Sequence, residues 1–108
     1  MAEVIWAEPA LSDLEEIANY IAPESSEAAR RLVRKIFDHV GHLEDHPKLG
    51  PKPQELKGRR YRQIIEPPCR IFYRIDAGRI LIVHVRRSER LLRPELLGDR
   101  ERDTGSTR

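Results

Sequence analysis

The stretch that decides the fold is CRIFYRID, residues 69–76, which is followed almost at once by GRILIVHVR, residues 78–86. Both runs are rich in β-branched and aromatic residues, and the Asp76-Ala77-Gly78 segment suits a tight turn, so the pair predicts a β-hairpin. An unpaired guanidinium is too costly to bury, so we expect the arginines of this region to face water, an acidic partner or a nucleic acid. These arginines are Arg70, Arg74, Arg79, Arg86, Arg87 and Arg90.

Alternation along an extended chain predicts which residues of the hairpin share a face, because successive side chains point in opposite directions. In the first run, Ile71, Tyr73 and Ile75 oppose Arg70, Phe72 and Arg74. In the second run, the same rule groups Leu81, Val83, Val85 and Arg87 against Ile80, Ile82, His84 and Arg86. Both faces of the second run are apolar before they turn basic, which is typical of a central strand.

The rest of the chain supplies one more strand on each side of two helices. The patterns predict a strand at residues 3–7, a helix at 9–22, a second helix from Ser25 or Ser26 to about Glu44, a loop at 46–58 and a strand at 59–66. The element order is therefore β-α-α-β-β-β. This order predicts an α+β fold in which a helical hairpin packs on a sheet dominated by antiparallel pairs.

Each predicted helix has one apolar stripe that needs a surface to bury it. In the first helix the stripe is Leu11, Leu14, Ile17, Ala18 and Ile21, and in the second it is Ala29, Leu32, Val33, Ile36, Phe37, Val40 and Leu43. The spacings of three and four residues place each set on one helical face. A short break around Pro23 separates the two helices, so we expect an antiparallel pair.

Length and composition indicate one small domain. The 108 residues are enough for a single core, which we place at residues 1–97, followed by a polar tail at 98–108. No apolar run reaches 18 residues and the N-terminal stretch lacks basic residues, so we expect a cytoplasmic protein without a membrane association. Cys69 is the only cysteine, and we expect neither a disulfide, a metal site nor a cofactor.

The charge is divided between the two halves of the chain. Residues 1–47 contain 10 acidic and 4 basic residues, whereas residues 48–108 contain 8 acidic and 16 basic residues. One surface should therefore be strongly positive, which favours an acidic or polyanionic partner. If the sheet brings the start of the second strand beside the end of the last, one patch would contain Arg59, Arg60, Arg62, Arg86, Arg87 and Arg90.

In order along the chain, several of these segments resemble the RelE/ParE toxins of bacterial type II toxin–antitoxin modules, also known as plasmid stabilisation proteins. The resemblance covers roughly residues 4–92 and is carried by VIWAEPALSDLEEIANYIA, by the HPKLG loop, by RRYRQII and above all by CRIFYRIDAGRILIVHV. It implies a compact α+β toxin that forms a hetero-oligomer with a cognate antitoxin, whose C-terminal segment wraps the toxin. An acidic antitoxin segment would find charge-assisted hydrogen bonds at Arg70, Arg74 or Arg86.

The resemblance leaves the cellular target open. RelE-like members resemble ribosome-dependent endoribonucleases that cleave mRNA, and such chemistry needs a proton acceptor and cations at the phosphate. Many relatives end the last strand with an H-x-x-R pattern, but here that stretch is Arg87-Ser88-Glu89-Arg90, so an arginine replaces the histidine. If the protein is a ribonuclease, the candidate catalytic residues are Arg62, Arg70, Tyr73, His84 and Arg87.

The missing histidine favours the other branch, a ParE-like protein that inhibits DNA gyrase by interaction rather than by catalysis. The residues expected to bind the target or the antitoxin are Arg59, Arg60, Arg62, Arg70, Arg74, Arg86, Arg87 and Arg90. An endoribonuclease acting on the ribosome and mRNA is the alternative. An inactive module that only binds the antitoxin is a third reading.

Overall fold

The computed structural model describes residues 2–56 and 58–87, and in it two helices cover one face of a four-stranded sheet. The elements in chain order are β1 (Glu3–Trp6), α1 (Glu8–Ile21), α2 (Ser26–Gly41), β2 (Tyr61–Glu66), β3 (Cys69–Asp76) and β4 (Arg79–Arg87). The predicted order and the α+β class are confirmed. The predictions for Arg90, for the end of the domain and for the polar tail lie outside the described residues.

The sheet has the strand order β1-β4-β3-β2. β1 runs parallel to β4, from the pair Glu3 and Arg79 to the pair Trp6 and Ile82, while β4 with β3 and β3 with β2 are antiparallel. The two hairpin strands therefore occupy the centre, as their apolar composition indicates. β2 and β1 form the edges.

A β-bulge in β4 changes the face that each of its residues occupies. Phe72 pairs with His84 and Tyr73 pairs with Ile82, so Val83 is the extra residue. Because the bulge shifts alternation by one, Val85 and Arg87 share the helix-covered face with Ile80 and Ile82, and Leu81 lies with His84 and Arg86 on the other face. The predicted grouping for the last strand is therefore wrong.

The helices start where their cap residues indicate. Pro9 lies in the first turn of α1, and the Ser25 side chain accepts a hydrogen bond from the Ala28 backbone N–H at 3.1 Å at the start of α2. α2 ends at Gly41, three residues before the predicted end, and the chain continues as a 3₁₀ turn over His42–Glu44.

The predicted stripes are largely buried, with two exceptions. Leu11 is 45% exposed because α1 turns Ala10 inward at that level instead, and Phe37 is 43% exposed. The Phe37 ring lies 4.8 Å from the ring of Trp6, so it covers the end of β1 rather than the core. The core cluster contains Ala10, Leu14, Ile17, Leu32, Ile36, Val40, Leu43, Ile64, Cys69, Ile71, Tyr73, Ile80, Ile82 and Val85.

Two further properties concern the described residues only. None of their helices has the length and apolar character needed to cross a bilayer. Within residues 2–56 and 58–87, no three His, Cys, Asp or Glu side chains are grouped so that they could hold a metal ion.

Candidate functional site

The strand register separates the arginines that were expected to form one patch. Tyr61, at the start of β2, pairs with Arg74, whereas Arg87, at the end of β4, pairs with Cys69 at the opposite end of β3. Along β3, the two rows are five residue steps apart, a distance of roughly 16 Å in an extended chain. The prediction of a single patch is therefore wrong. We call the two ends of the sheet the Gly78 end, at the turn between β3 and β4, and the Pro68 end, at the turn between β2 and β3.

At the Gly78 end, one carboxylate forms ion pairs with two arginines. Arg60 lies 3.4 Å and Arg74 lies 3.6 Å from the carboxylate oxygens of Asp76. Arg59 is exposed just before β2 and makes no ion pair with another described residue. Exposed pairs of this kind contribute little to stability, and the single carboxylate offsets only one of these two positive charges.

Arg62 and Tyr73 anchor a loop to the sheet. The Tyr73 hydroxyl donates to the Pro47 carbonyl at 2.7 Å and accepts from the Gly50 N–H at 3.0 Å. Arg62 donates to the Gly50 carbonyl at 2.8 Å. Burial raises the pKa of the Tyr73 hydroxyl, although the Gly50 amide and the Arg62 charge act in the opposite direction. We call residues 46–53 the Leu49 loop.

Arg70 is enclosed by its own chain. It is 5% exposed, its Nη2 lies 2.7 Å from the Glu55 carboxylate, and its Nε donates to the Gln63 side chain at 2.6 Å. Its guanidinium also lies 4.8 Å from the centre of the Phe72 ring. A charge that is paired and hydrogen-bonded in this way holds the segment around Glu55 against the sheet. It is not part of a free docking surface.

Two arginines remain at the Pro68 end, on opposite faces of the sheet. Arg86 is exposed and lies opposite Arg70 in the strand register. It makes no ion pair with any residue in the described part of the chain. Arg87 is on the helix-covered face, where its guanidinium lies 4.4 Å from the centre of the Tyr20 ring. Tyr20 is itself 67% exposed, so this pair forms an accessible cation–π contact.

His84 is on the same face as Arg86 and is paired with an acidic residue of α1. Its Nδ1 lies 3.4 Å from Asp13 Oδ2, and that oxygen also accepts from the Val85 backbone N–H at 3.1 Å. Asp13 therefore occupies the edge of β4 just beyond the point where β1 ends. The residues of the ribonuclease hypothesis are not brought together: Arg62 and Tyr73 hold the Leu49 loop, Arg70 holds Glu55, and His84 and Arg87 face opposite ways.

The sequence reasoning missed three residues of these surfaces. Tyr20 is an aromatic residue away from the apolar stripe of its helix, and Leu49 is a large apolar residue inside a proline-rich loop. Both are signals of an exposed contact residue that could have been recognised. Asp13 gave no such signal, because its partner is 71 residues away in the chain.

Comparison with known proteins identifies the family. The model of the family described as "ParE toxin of type II toxin-antitoxin system, parDE" matches residues 4–92, and the chain belongs to this family of toxins. Toxin RelE2 of Caulobacter vibrioides is 33% identical over 92 residues, which cover 84% of this chain and all of that protein. The putative toxin Y4kP of Sinorhizobium fredii is 33% identical over 81 residues, 73% of this chain and 83% of that protein.

Solved structures share the fold at low sequence identity. A chain of the chromosomal ParDE toxin–antitoxin system from P. aeruginosa matches with a TM-score of 0.68 and 23% identity, over 81% of this chain and 96% of that one. A chain of the RelBE2 toxin–antitoxin complex from Mycobacterium tuberculosis matches with a TM-score of 0.55 and 20% identity, over 80% and 96%. The expected RelE/ParE toxin fold is thereby confirmed.

Proposed function

We propose that this toxin acts by binding rather than by catalysis, that its target is DNA gyrase, and that a cognate antitoxin keeps it inactive in the cytoplasm. The observation that carries the proposal is the separation of the five candidate catalytic residues. A ribonuclease needs a proton acceptor and cations around one phosphate. Of the candidate catalytic arginines, Arg62 and Arg70 are engaged within the chain, and Arg87 lies on the opposite face of the sheet from His84.

The contact surface for the target is the Pro68 end of the sheet. Arg86 presents an unpaired guanidinium there, and Tyr20, whose ring contacts Arg87, adds an exposed aromatic side chain. Arginine and tyrosine are among the residue types most enriched at the energetic centres of protein interfaces. This arrangement suits an acidic protein surface without any covalent chemistry.

The antitoxin partner is proposed on the strength of the relatives. Both structural neighbours come from toxin–antitoxin systems, and the family description names such a system. The net charge of residues 48–108, 8 acidic against 16 basic, supports an acidic antitoxin segment. The complex would then be a hetero-oligomer.

Purified protein with DNA gyrase tests the proposal. We expect inhibition of supercoiling and accumulation of cleaved DNA held by gyrase, and in cells we expect filamentation with induction of the SOS response. The same preparation is added to translating ribosomes programmed with mRNA, where we expect intact message. Cut message together with normal supercoiling would refute the gyrase target and favour the ribonuclease alternative.

The ribonuclease alternative has one observation in its favour. The carboxylate of Asp13 lies beside Nδ1 of the exposed His84, an arrangement that orients an imidazole for proton transfer. The variant His84→Ala tests this alternative. It would abolish mRNA cleavage if the His84 ring accepts the 2′-hydroxyl proton. Under the gyrase proposal, the same variant keeps its toxicity.

A further inference from the structure

The Leu49 loop is held in one conformation by four hydrogen bonds to the sheet. Three of them involve the Tyr73 hydroxyl and the Arg62 guanidinium, as described above. In the fourth, the Gln63 backbone N–H donates to the Pro51 carbonyl at 3.0 Å, so the loop runs along the outer edge of β2. A surface fixed before binding loses little conformational entropy on binding, which favours affinity.

This rigid loop presents an apolar side chain to solvent. Leu49 is 50% exposed and lies between two open cavities, both of which it lines. The larger, of about 560 Å³, is completed by His46, Pro47, Lys48 and Ile75. The smaller, of about 250 Å³, includes Ile65, which is 45% exposed at the edge of β2. An exposed apolar surface bordered by polar residues marks a contact site for a partner.

The charges around the cavities select the kind of partner. Residues 46–54 contain Lys48 and Lys52 and no aspartate or glutamate, and neither cavity is lined by an acidic residue. Neither lysine makes an ion pair with a described residue, and Arg62 adds a third positive charge beside Gly50. A second copy of this chain would place lysines against lysines, so like-charge repulsion disfavours self-association here.

We propose that the Leu49 loop is a docking site for an acidic, extended segment of the antitoxin, with a bulky aliphatic side chain against Leu49 and carboxylates beside Lys48 and Lys52. The proposal rests on the proposed toxin–antitoxin function and adds the residues of the contact. It also separates two surfaces: the antitoxin contact lies along β2, and the gyrase contact lies at Arg86 on β4. The two activities of the toxin can then be removed independently.

The test compares two exposed leucines. Leu49→Asp is paired with the control Leu11→Asp, because Leu11 is 45% exposed on α1 and lines neither cavity. Each variant is titrated with the purified cognate antitoxin, and each is expressed alone and with that antitoxin. For Leu49→Asp we expect the Kd to rise by at least ~30-fold, as for the central contacts of protein interfaces. For Leu11→Asp we expect a change within about 2-fold.

Growth separates the outcomes. Leu49→Asp should arrest growth even when the antitoxin is present, whereas Leu11→Asp should be neutralised like the wild type. Three outcomes would each overturn the proposal. They are wild-type affinity for the antitoxin in Leu49→Asp, equal losses of affinity in both variants, and no binding of the antitoxin to the wild type. A wild-type toxin that binds the antitoxin but leaves gyrase unaffected would instead refute only the proposed target.

A charge variant keeps the test valid if Leu49→Asp does not fold. Lys48→Glu with Lys52→Glu changes exposed side chains only, and we expect the Kd to rise by at least ~10-fold at low ionic strength. The difference from the wild type should shrink as salt is added, because exposed charges are screened. An affinity that is insensitive to both the charge reversal and salt would overturn the acidic nature of the partner.

Discussion

The substitution Tyr73→Phe tests whether one hydroxyl fixes the Leu49 loop. Tyr73 is 0% exposed, and its hydroxyl bonds the Pro47 carbonyl at 2.7 Å and the Gly50 N–H at 3.0 Å. Phenylalanine fills almost the same volume but leaves both backbone groups without this partner. Each buried polar group left unsatisfied costs about 1–3 kcal/mol, so we expect the free energy of unfolding to fall by about 2–4 kcal/mol.

The assay is urea unfolding followed by circular dichroism. Domains of this size are stable by only about 5–15 kcal/mol, so the midpoint should move clearly to lower urea. Tyr61→Phe is the matched control, because the Tyr61 hydroxyl makes no hydrogen bond to another described residue, and its effect should stay within about 0.5 kcal/mol. Equal midpoints for the two variants would refute the role of the Tyr73 hydroxyl in holding the loop.

The pH dependence gives an independent readout of the same group. The pKa of Tyr73 is raised in the folded protein, mainly by burial, so the folded state holds this proton more tightly than the unfolded state. The resulting stability is complete below the unfolded pKa of about 10 and is lost as the pH rises through the folded pKa. We therefore expect the difference in stability between wild type and Tyr73→Phe to shrink above about pH 10. A constant difference up to about pH 11 would contradict this account.

The other predictions concern the loop, the hairpin turn and the histidine. A Cβ on Gly50 would collide with the Gln63 backbone carbonyl, so Gly50→Ala should cost more than about 2 kcal/mol in urea unfolding and weaken antitoxin binding. Wild-type values for both would contradict the tight contact. Ala77 has φ +52°, a left-handed conformation that asparagine tolerates better, so Ala77→Asn should raise the melting temperature by a few degrees, and Gly78→Ala, at φ +75°, should lower it. His84→Ala should retain full growth arrest, and loss of arrest in a folded variant would favour the ribonuclease reading.

Much of the fold could be predicted because its signals are local. Apolar residues spaced three and four apart predicted both helices. Pro9 marked the start of α1 and Ser25 marked the start of α2. The β-rich runs around Ala77-Gly78 gave the central hairpin. Each of these features depends on residues that are close together in the chain, so the pattern alone was enough to predict them.

The candidate site could not be predicted to the same extent, because it depends on register and on contacts between distant segments. The bulge at Val83 shifted alternation in β4, and no sequence feature marked it. The antiparallel pairing of β2 with β3 and of β3 with β4 placed Arg59 and Arg86 at opposite ends of the sheet. Arg70 looked like a surface charge because its partner Glu55 is in a loop without a usable pattern.

The central claim is that a free arginine at the Pro68 end binds gyrase, and a charge reversal at either end of β4 tests it most directly. Arg86 and Arg79 are both exposed on the same face of that strand, and neither makes an ion pair with a described residue. In a supercoiling assay with purified gyrase, Arg86→Glu should need at least ~10-fold more protein for half-inhibition, while Arg79→Glu should match the wild type within about 2-fold. Equal inhibition by both variants, or no inhibition by the wild type, would contradict the claim.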